Sequence, residues 1–273
     1  MAEVRAGMAD QVPEVRVEAL GGEDAGIVLL GLDRPSAKNA LGRQLMAEFR
    51  WAVAGLHADP GVRVVVVHSH VPGVFCPGAD LKERAGLSEA ETVRVVTGLQ
   101  TAFTALEELP VPVIAVLEGA ALGGGLELAL AADLRVAGSE ARLGLVETAL
   151  AIIPGAGGTQ RLPRVVGASR AKELIYTARR FDAAEALRLG VVDRLVSAGG
   201  ALDSALGLAR EILPNGPVAV RMAKLAINCG LQLDLRAALA FERACYGQVV
   251  GTRDRLEGLA SFREKRKPRY QGE

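Results

Sequence analysis

Apolar and polar positions in the first part of the chain follow two periods, one typical of strands and one typical of helices. Strand-like runs are predicted at residues 15–19, 26–32, 62–68, 113–117 and 134–137. Helical spacing is predicted over residues 43–58, and again from Ser88 towards Leu109, where Ser88 and Glu91 have the spacing of a capping box. Strands and helices that alternate in this way predict a parallel sheet with crossover helices.

The pattern after residue 169 is helical throughout. Helices are predicted at residues 171–177, 183–189, 201–213, 218–228, 235–247 and 253–265. The expected fold class is therefore α/β, with a β/α core followed by an all-helical C-terminal part.

Composition narrows the possible functions. Half of the 273 residues are hydrophobic, and 32 basic residues balance 32 acidic ones, so the overall charge does not favour nucleic acid or an anionic membrane as a partner. Cys76, Cys229 and Cys245 lack CxxC spacing and are expected to be reduced thiols. No run of about 18 apolar residues is present, and the first residues lack the features of a secretion signal or a typical mitochondrial presequence. We therefore expect no membrane span and a cytoplasmic location.

Three consecutive glycines are the most informative local feature. The apolar run 113–117 leads towards Gly123, Gly124 and Gly125, and the helix-forming residues 126–132 follow. Glycines permit a tight bend and the close approach of another group, and a helix that begins there presents free N–H groups and the positive end of its dipole. The motif predicts a site for an oxyanion or a phosphate. The alternative is a tightly packed turn that binds nothing.

Several common chemistries lack their motifs. The sequence contains neither the phosphate loop G-x-x-x-x-G-K-[ST] nor the nucleophile elbow G-x-S-x-G. Residues 155–160 fail the dinucleotide pattern because Gln160 occupies the position of its last glycine. His68 and His70 could share one face of a strand end, but no third metal ligand is evident nearby. We therefore expect two surface histidines and no metal site.

Two glutamates stand in apolar surroundings. Glu127 lies among leucines and alanines, and Glu147 follows the apolar run 143–146. Burial without a cationic partner raises the pKa of a carboxyl group and suits it to proton transfer near neutral pH. Beside a glycine-built anion site, the pair indicates acid–base chemistry on a carbonyl compound. The alternative is that each glutamate faces solvent.

Three segments together carry a resemblance to a known family. Residues 75–82 (FCPGADLK), 121–127 (ALGGGLE) and 144–162 (from GLVE to GAGGTQRL) resemble the crotonase, or enoyl-CoA hydratase/isomerase, superfamily. The similarity extends over nearly the whole chain. Within the superfamily, three short segments are most similar to the 3-methylglutaconyl-CoA hydratases, namely residues 79–85, 144–148 and 171–175.

The resemblance implies a fold and an assembly. The expected fold is a crotonase-like ββα spiral core with an acyl-CoA site over residues 1–198, followed by a helical C-terminal trimerisation region over residues 199–273. The expected assembly is a homotrimer or a homohexamer. The implied activity is that of a hydro-lyase that adds water across a conjugated 2-enoyl-CoA.

The resemblance also implies catalytic roles for five positions. Backbone N–H groups of Ala79 and Gly124 would hold the thioester oxygen as it becomes an enolate. Glu127 would help to activate water, and Glu147 would exchange the proton at Cα. The N–H group of Gly155 would steady the water.

The implied ligand is coenzyme A, as part of the substrate, with no separate cofactor and no metal. Its adenine end would be wrapped by a loop that contains Pro77, Ala79, Asp80, Leu81 and Lys82. Pro77 replaces an alanine that many relatives have, which keeps the carbonyl but removes an N–H group. Lys265 would reach the nucleotide phosphate across a subunit boundary. The alternative for Lys265 is a solvated basic tail.

Several functions stay open from the sequence. Hydration of 3-methylglutaconyl-CoA, of the leucine-degradation type, is favoured over hydration of a straight-chain enoyl-CoA in fatty-acid oxidation and over Δ3–Δ2 isomerisation. Arg84 is a candidate cation for the distal carboxylate of methylglutaconyl-CoA, but the sequence does not show which way it points. An RNA-binding protein of the same fold is the alternative from another class. Residues 38–63 are only weakly basic and lack interleaved aromatics, so RNA binding is expected to be weak.

Overall fold

The computed structural model describes residues 12–273. Within this range, ten strands form two sheets. The strands are β1 (Val15–Ala19), β2 (Ile27–Leu32), β3 (Val64–Ser69), β4 (Val74–Cys76), β5 (Val113–Leu117), β6 (Ala120–Leu122), β7 (Leu134–Gly138), β8 (Arg142–Gly144), β9 (Phe181–Asp182) and β10 (Arg194–Val196).

Eleven α-helices connect and cover these strands in the same range. They are α1 (Arg43–Ala58), α2 (Leu81–Arg84), α3 (Glu89–Glu107), α4 (Gly124–Leu130), α5 (Gly158–Val166), α6 (Ala168–Tyr176), α7 (Ala183–Leu189), α8 (Ala201–Ile212), α9 (Pro217–Gly230), α10 (Leu235–Val250) and α11 (Arg253–Glu264). Short 3-10 turns lie at Gly22–Asp24, Pro35–Ala37 and Glu147–Leu150.

The larger sheet has the strand order β1-β2-β3-β5-β7-β10. β1 is antiparallel to β2, and every other neighbouring pair is parallel. Both faces of β3 are covered, as is usual for a parallel strand rich in β-branched residues. Val65 and Val67 pack into the larger hydrophobic cluster, whereas Val64 and Val66 pack into a smaller one beneath α8.

The smaller sheet has the order β4-β6-β8-β9, with β8 and β9 antiparallel. Its strands have only two or three residues each. The chain leaves β4 towards Ala79 and leaves β6 towards Gly123, so two parallel strands deliver these two segments to the same edge of the sheet. This sheet therefore positions the candidate site.

The period-based predictions match most of the longer elements. Strands 15–19 and 113–117 and helices 43–58 and 183–189 are confirmed with the same bounds. The capping box of α3 is also confirmed, because Ser88 Oγ accepts from Glu91 N while Glu91 Oε2 accepts from Ser88 N.

Other predictions were wrong. The segment after residue 169 is not helical throughout, since it contains β9 and also β10, which pairs with β7 in the larger sheet. The short strands of the smaller sheet were not predicted, because three residues cannot display a period. Helix α5 was missed as well, and it forms despite Pro163 in its interior.

The helices after residue 199 differ in how they pack. Helix α8 lies on the larger sheet against β3, β5 and β7, and α9 packs along α10. Lys224 joins α9 to the core, because its Nζ donates to Val111 O at 2.9 Å and to Asp133 Oδ2 at 2.8 Å. The boundary at residue 198 stays a prediction. Between residues 12 and 273, no helix is long and apolar enough to cross a bilayer.

Candidate active site

The glycine run forms a strand-to-helix turn, as predicted. Gly123 has φ of +50°, and α4 begins at Gly124. A Cβ atom at Gly125 would overlap the carbonyl group of Cys76, so the turn packs directly against β4. The turn thus combines the predicted tight packing with a helix start that faces the site.

Two backbone N–H groups lie side by side at this turn. Gly78 has φ of +103°, and a Cβ atom placed on it would be 3.3 Å from Gly124 N. A Cβ atom on Gly124 would be 3.9 Å from Ala79 N. Among residues 12–273, neither the N–H of Ala79 nor that of Gly124 has a hydrogen-bond acceptor. Two adjacent unused donors can bind an oxyanion.

Glu127 is held in a fixed position on α4. Only 2% of the residue is exposed, and its Oε1 accepts from Ala156 N at 2.8 Å and from Gly158 N at 2.7 Å. Burial raises the pKa of Glu127, and the two N–H groups partly offset that rise. The alternative that Glu127 faces solvent was therefore wrong.

Glu147 opens the 3-10 turn that follows β8. Its carboxylate lies over the glycine turn, where a Cβ atom on Gly123 would be 3.0 Å from Oε1. Within the described chain, Oε2 is buried and has no hydrogen-bond partner. Burial, and after it the negative charge of Glu127, raises the pKa of Glu147 to about 7. Such a group can give or take a proton near neutral pH.

Gly155 lies beside the segment that holds Glu127. Its carbonyl accepts from Gln100 Nε2 at 2.6 Å, and the next residue, Ala156, donates to Glu127. The N–H of Gly155 has no acceptor in the described part of the chain.

The predicted adenine loop is built around Asp80. Its Oδ1 caps α2 by accepting from Lys82 N at 3.0 Å and Glu83 N at 3.2 Å, and its Oδ2 pairs with Arg34 Nη1 at 2.8 Å. The side chain of Asp80 thus shapes the loop. Pro77, Leu81 and Lys82 are exposed and available to a ligand.

Lys265 lies apart from the other predicted site residues. It is exposed at the C-terminal end of α11, with φ of +54°, and forms no hydrogen bond or ion pair with them in the described chain. Its expected contact lies across a subunit boundary.

A cleft of about 710 Å³ lies between α1, α2 and α3. Its apolar lining includes Leu41, Met46, Leu87, Val95 and Leu99. Its basic lining consists of Arg43, Arg50, Arg84 and Arg94. Among the described residues, none of these four arginines forms an ion pair with an acidic side chain. Three acidic residues, Asp80, Glu83 and Glu91, also line the cleft, so four arginines against three acids leave a net charge of +1, which favours an anion.

Sequence reasoning missed the residues that support the site. Asn39 is fully buried, has φ of +62°, and donates from Nδ2 to Phe75 O and to Ser69 Oγ. Arg161 Nη2 pairs with Glu107 Oε2 at 2.6 Å beside the loop that binds Glu127. The one available signal was Asn39 itself, because asparagine tolerates the left-handed region.

The expectation of two surface histidines was wrong for His68. His70 is exposed, but His68 is only 6% exposed and packs against His70 with ring centroids 4.5 Å apart, over Gly31. Burial, and then the nearby charge of His70, lowers the pKa of His68 to about 4. From residue 12 onward, no group of three or more possible metal ligands is present.

Comparisons with known proteins agree with this geometry. Residues 22–273 match the family model described as enoyl-CoA hydratase/isomerase. The chain is 53% identical over 264 residues to the mitochondrial methylglutaconyl-CoA hydratase of Mus musculus. The matched region covers 95% of this chain and 84% of that protein. It is 49% identical over 266 residues to the mitochondrial enoyl-CoA hydratase domain-containing protein 2 of Mus musculus. That match covers 96% of this chain and 90% of the other protein.

A solved structure supports the same relationship. The crystal structure of an enoyl-CoA hydratase from Bacillus anthracis matches this chain with a TM-score of 0.92 at 46% identity, over 95% of this chain and 100% of that one. The predicted α/β fold class and the resemblance stated from the sequence are thus confirmed.

Proposed function

This chain belongs to the enoyl-CoA hydratase/isomerase family, and we propose that it adds water across the double bond of a conjugated 2-enoyl-CoA. The observation that carries the proposal is the pair of buried carboxyl groups beside two unused N–H donors. Glu147 has a pKa of about 7, whereas Glu127 is fixed by two backbone N–H groups.

The proposed reaction begins with polarisation of the thioester. The N–H groups of Ala79 and Gly124 receive the thioester oxygen, and loss of one such donor typically costs about 2.7–4 kcal/mol of transition-state stabilisation. Water held by Glu127 and the Gly155 N–H adds at Cβ and loses its proton to Glu127. Glu147 then delivers its proton to Cα. The pair holds one proton before and after the step, so it needs no added acid or base.

The proposed ligand contacts follow the same scheme. The backbone and exposed side chains of Pro77, Leu81 and Lys82 bind the adenine end of coenzyme A, and Lys265 of a neighbouring subunit approaches the phosphate. No metal or separate cofactor takes part. Exposed apolar side chains on the C-terminal helices support assembly into a homotrimer or homohexamer, and among them are Ile227, Leu235 and Phe262.

We propose 3-methylglutaconyl-CoA as the favoured substrate and the cytoplasm as the location. Support for the substrate comes from the relatives named methylglutaconyl-CoA hydratase. Support for the location comes from Cys76, Cys229 and Cys245, which are free thiols. Seven of the similar relatives are named as mitochondrial, so fractionation of the source cells is the appropriate test of location.

A straight-chain enoyl-CoA is the second candidate substrate, because the chain is also 46% identical to the enoyl-CoA hydratase of Bacillus anthracis. Steady-state kinetics on 3-methylglutaconyl-CoA, crotonyl-CoA and a 3-enoyl-CoA separate these possibilities. We expect kcat/KM to be highest for 3-methylglutaconyl-CoA. A tenfold preference for crotonyl-CoA, or about 1.4 kcal/mol in favour of its transition state, would support the second candidate.

A further inference from the structure

Arg84 carries a charge without a direct partner. The side chain is partly buried, its Nε is buried without a hydrogen-bond acceptor, and the described chain offers it no ion pair. Burial lowers the pKa of Arg84 accordingly. A desolvated cation without a partner destabilises a fold. This is the state expected of a cation whose counter-ion arrives with a ligand.

Arg84 stands near both catalytic carboxylates but binds neither. Its charge lowers the pKa of Glu127 and of Glu147, so the three groups are close. No hydrogen bond or ion pair joins them, and Glu147 Oε2 is itself without a partner among the described residues. Leu41 connects the two regions, since it lines the cleft with Arg84 and a Cβ atom on Gly124 would be 2.9 Å from its Cδ1. Opposite charges that remain apart leave space between them for a bound molecule.

The rest of the cleft strengthens the positive charge around Arg84. The acidic side chains that line it are already engaged elsewhere. Asp80 and Glu83 pair with Arg34, and Glu91 accepts from Ser88. Glu91 is also close enough to Arg94 and Arg43 for their charges to lower its pKa, so the unbalanced positive charge of the cleft lies with Arg84 and Arg50.

The position of Glu147 shows which part of a thioester reaches Arg84. In the proposed reaction Glu147 faces Cα, and the phosphates of coenzyme A are many bonds away on the other side of the thioester. The thioester oxygen is already held by Ala79 and Gly124, so an anionic group that extends from beside Glu147 to Arg84 belongs to the acyl chain. Leu41 and Met46 line the cleft beside Arg84 and can contact the carbon atoms of that chain.

On the premise of the proposed function, we propose that Arg84 determines acyl specificity by binding a carboxylate at the far end of the acyl chain. The substrate class is then the 2-enoyl-CoA thioesters of short dicarboxylic acids. A guanidinium group presents two parallel N–H donors to a carboxylate, and such charge-assisted bidentate pairs are geometrically selective. A neutral acyl chain of equal length leaves Arg84 unpaired.

The test compares two substrates that differ only in that carboxylate. The measured quantity is kcat/KM for 3-methylglutaconyl-CoA divided by kcat/KM for 3-methylcrotonyl-CoA. Arg84→Met, which keeps much of the length but removes the charge, should lower this ratio at least tenfold. Arg84→Lys keeps the charge but loses the two parallel N–H donors, so its ratio should lie between those of wild type and Arg84→Met. Arg188→Met, at an exposed position on α7, is the matched control and should leave the ratio unchanged.

A binding measurement separates this inference from the proposed function. Glutaryl-CoA and butyryl-CoA are saturated, so their Kd values do not depend on hydration. Arg84→Met should raise the Kd for glutaryl-CoA at least tenfold and the Kd for butyryl-CoA by less than twofold. The inference is overturned if Arg84→Met changes kcat/KM equally for the two substrates and Kd equally for glutaryl-CoA and butyryl-CoA. If the wild type hydrates no enoyl-CoA while Arg84 still discriminates between glutaryl-CoA and butyryl-CoA, the proposed function fails and the carboxylate site remains.

Discussion

The ionisation of Glu147 depends on Glu127: burial, and after it the negative charge of Glu127, raises the pKa of Glu147 to about 7. The two groups therefore share one proton over a range of pH, and the titration belongs to the pair. Glu127 is better supplied with donors, since its Oε1 accepts two backbone hydrogen bonds, whereas Oε2 of Glu147 accepts none from the described chain. This asymmetry keeps the proton on Glu147 in the free enzyme.

The shared proton predicts the pH dependence of hydration. The active form holds one proton on the pair, so kcat/KM should fall as pH rises above about 7 and that proton is lost. Hydration neither takes up nor releases a proton overall, so kcat/KM for dehydration should fall over the same alkaline pH range. Rates of both directions between pH 5 and 9 check this. A flat profile through pH 9 in both directions contradicts it.

Replacement of Glu147 should remove the acid that acts at Cα. Glu147→Gln is nearly isosteric but cannot exchange a proton, so hydration should fall at least 10²-fold. Solvent deuterium should also stop entering the Cα position, as measured by mass spectrometry. Hydration within tenfold of wild type in a folded variant would show that Glu147 is not catalytic.

The same variant should gain stability relative to wild type as pH rises. The ordinary pKa of the Glu147 carboxyl is 4.5, and in the folded protein it is about 7. Between these values the unfolded chain loses the proton that the folded chain keeps, so stability falls as pH rises through this window. Glu147→Gln removes that loss, so its stability relative to wild type should increase from pH 4 to pH 8 by about 1–3 kcal/mol. Denaturant unfolding at the two pH values measures the difference, and an unchanged difference contradicts the burial of a neutral carboxyl.

Glu127→Gln should separate catalysis from binding. The amide oxygen can still accept from Ala156 N and Gly158 N, so the loop should keep its position. Hydration should fall at least 10²-fold, while Kd for a saturated acyl-CoA should change little. Glu127→Ala is the contrasting variant: it leaves two buried N–H groups unpaired and should lower stability, by about 1–3 kcal/mol for each group. If Glu127→Gln hydrates within tenfold of wild type, Glu127 only supports the loop.

RNA binding should be weak and non-specific. The chain has no net charge, and α1 contributes only Arg43 and Arg50 as arginine cations. Gel-shift titration near physiological salt should give no sequence preference, and binding should weaken as salt rises. Sequence-selective binding below 1 µM at that salt would contradict this expectation. Arg50→Gln, which removes one of the two cations, serves as the comparison variant.

The sequence predicts those parts of the fold and site that local chemistry determines. The long strands and amphipathic helices follow from the period of apolar and polar positions alone. The capping box of α3 follows from the spacing of Ser88 and Glu91. Glu127 stands out because a charged residue interrupts an apolar run. These features need no knowledge of distant parts of the chain.

Other features depend on residues that meet only after folding. Glu127 is bound by Ala156 and Gly158, which are about 30 positions away along the chain. Arg34 shapes the predicted adenine loop from 46 positions away, through Asp80. Burial of His68 arises from its packing with His70 across Gly31, which no periodic pattern encodes. Contacts of this kind explain why the site's supporting residues were missed.

The strand order of the larger sheet has a consequence for synthesis of the protein. β7 is flanked by β5 on one side and by β10 on the other, and β10 does not begin until Arg194. Helix α8, which covers one face of the sheet, follows still later. During translation, the outer edge of β7 and the apolar face beneath α8 therefore stay uncovered until about three-quarters of the chain has left the ribosome. Nascent chains with such edges are prone to aggregate, so this stage of synthesis is the one at which the protein most needs protection by chaperones.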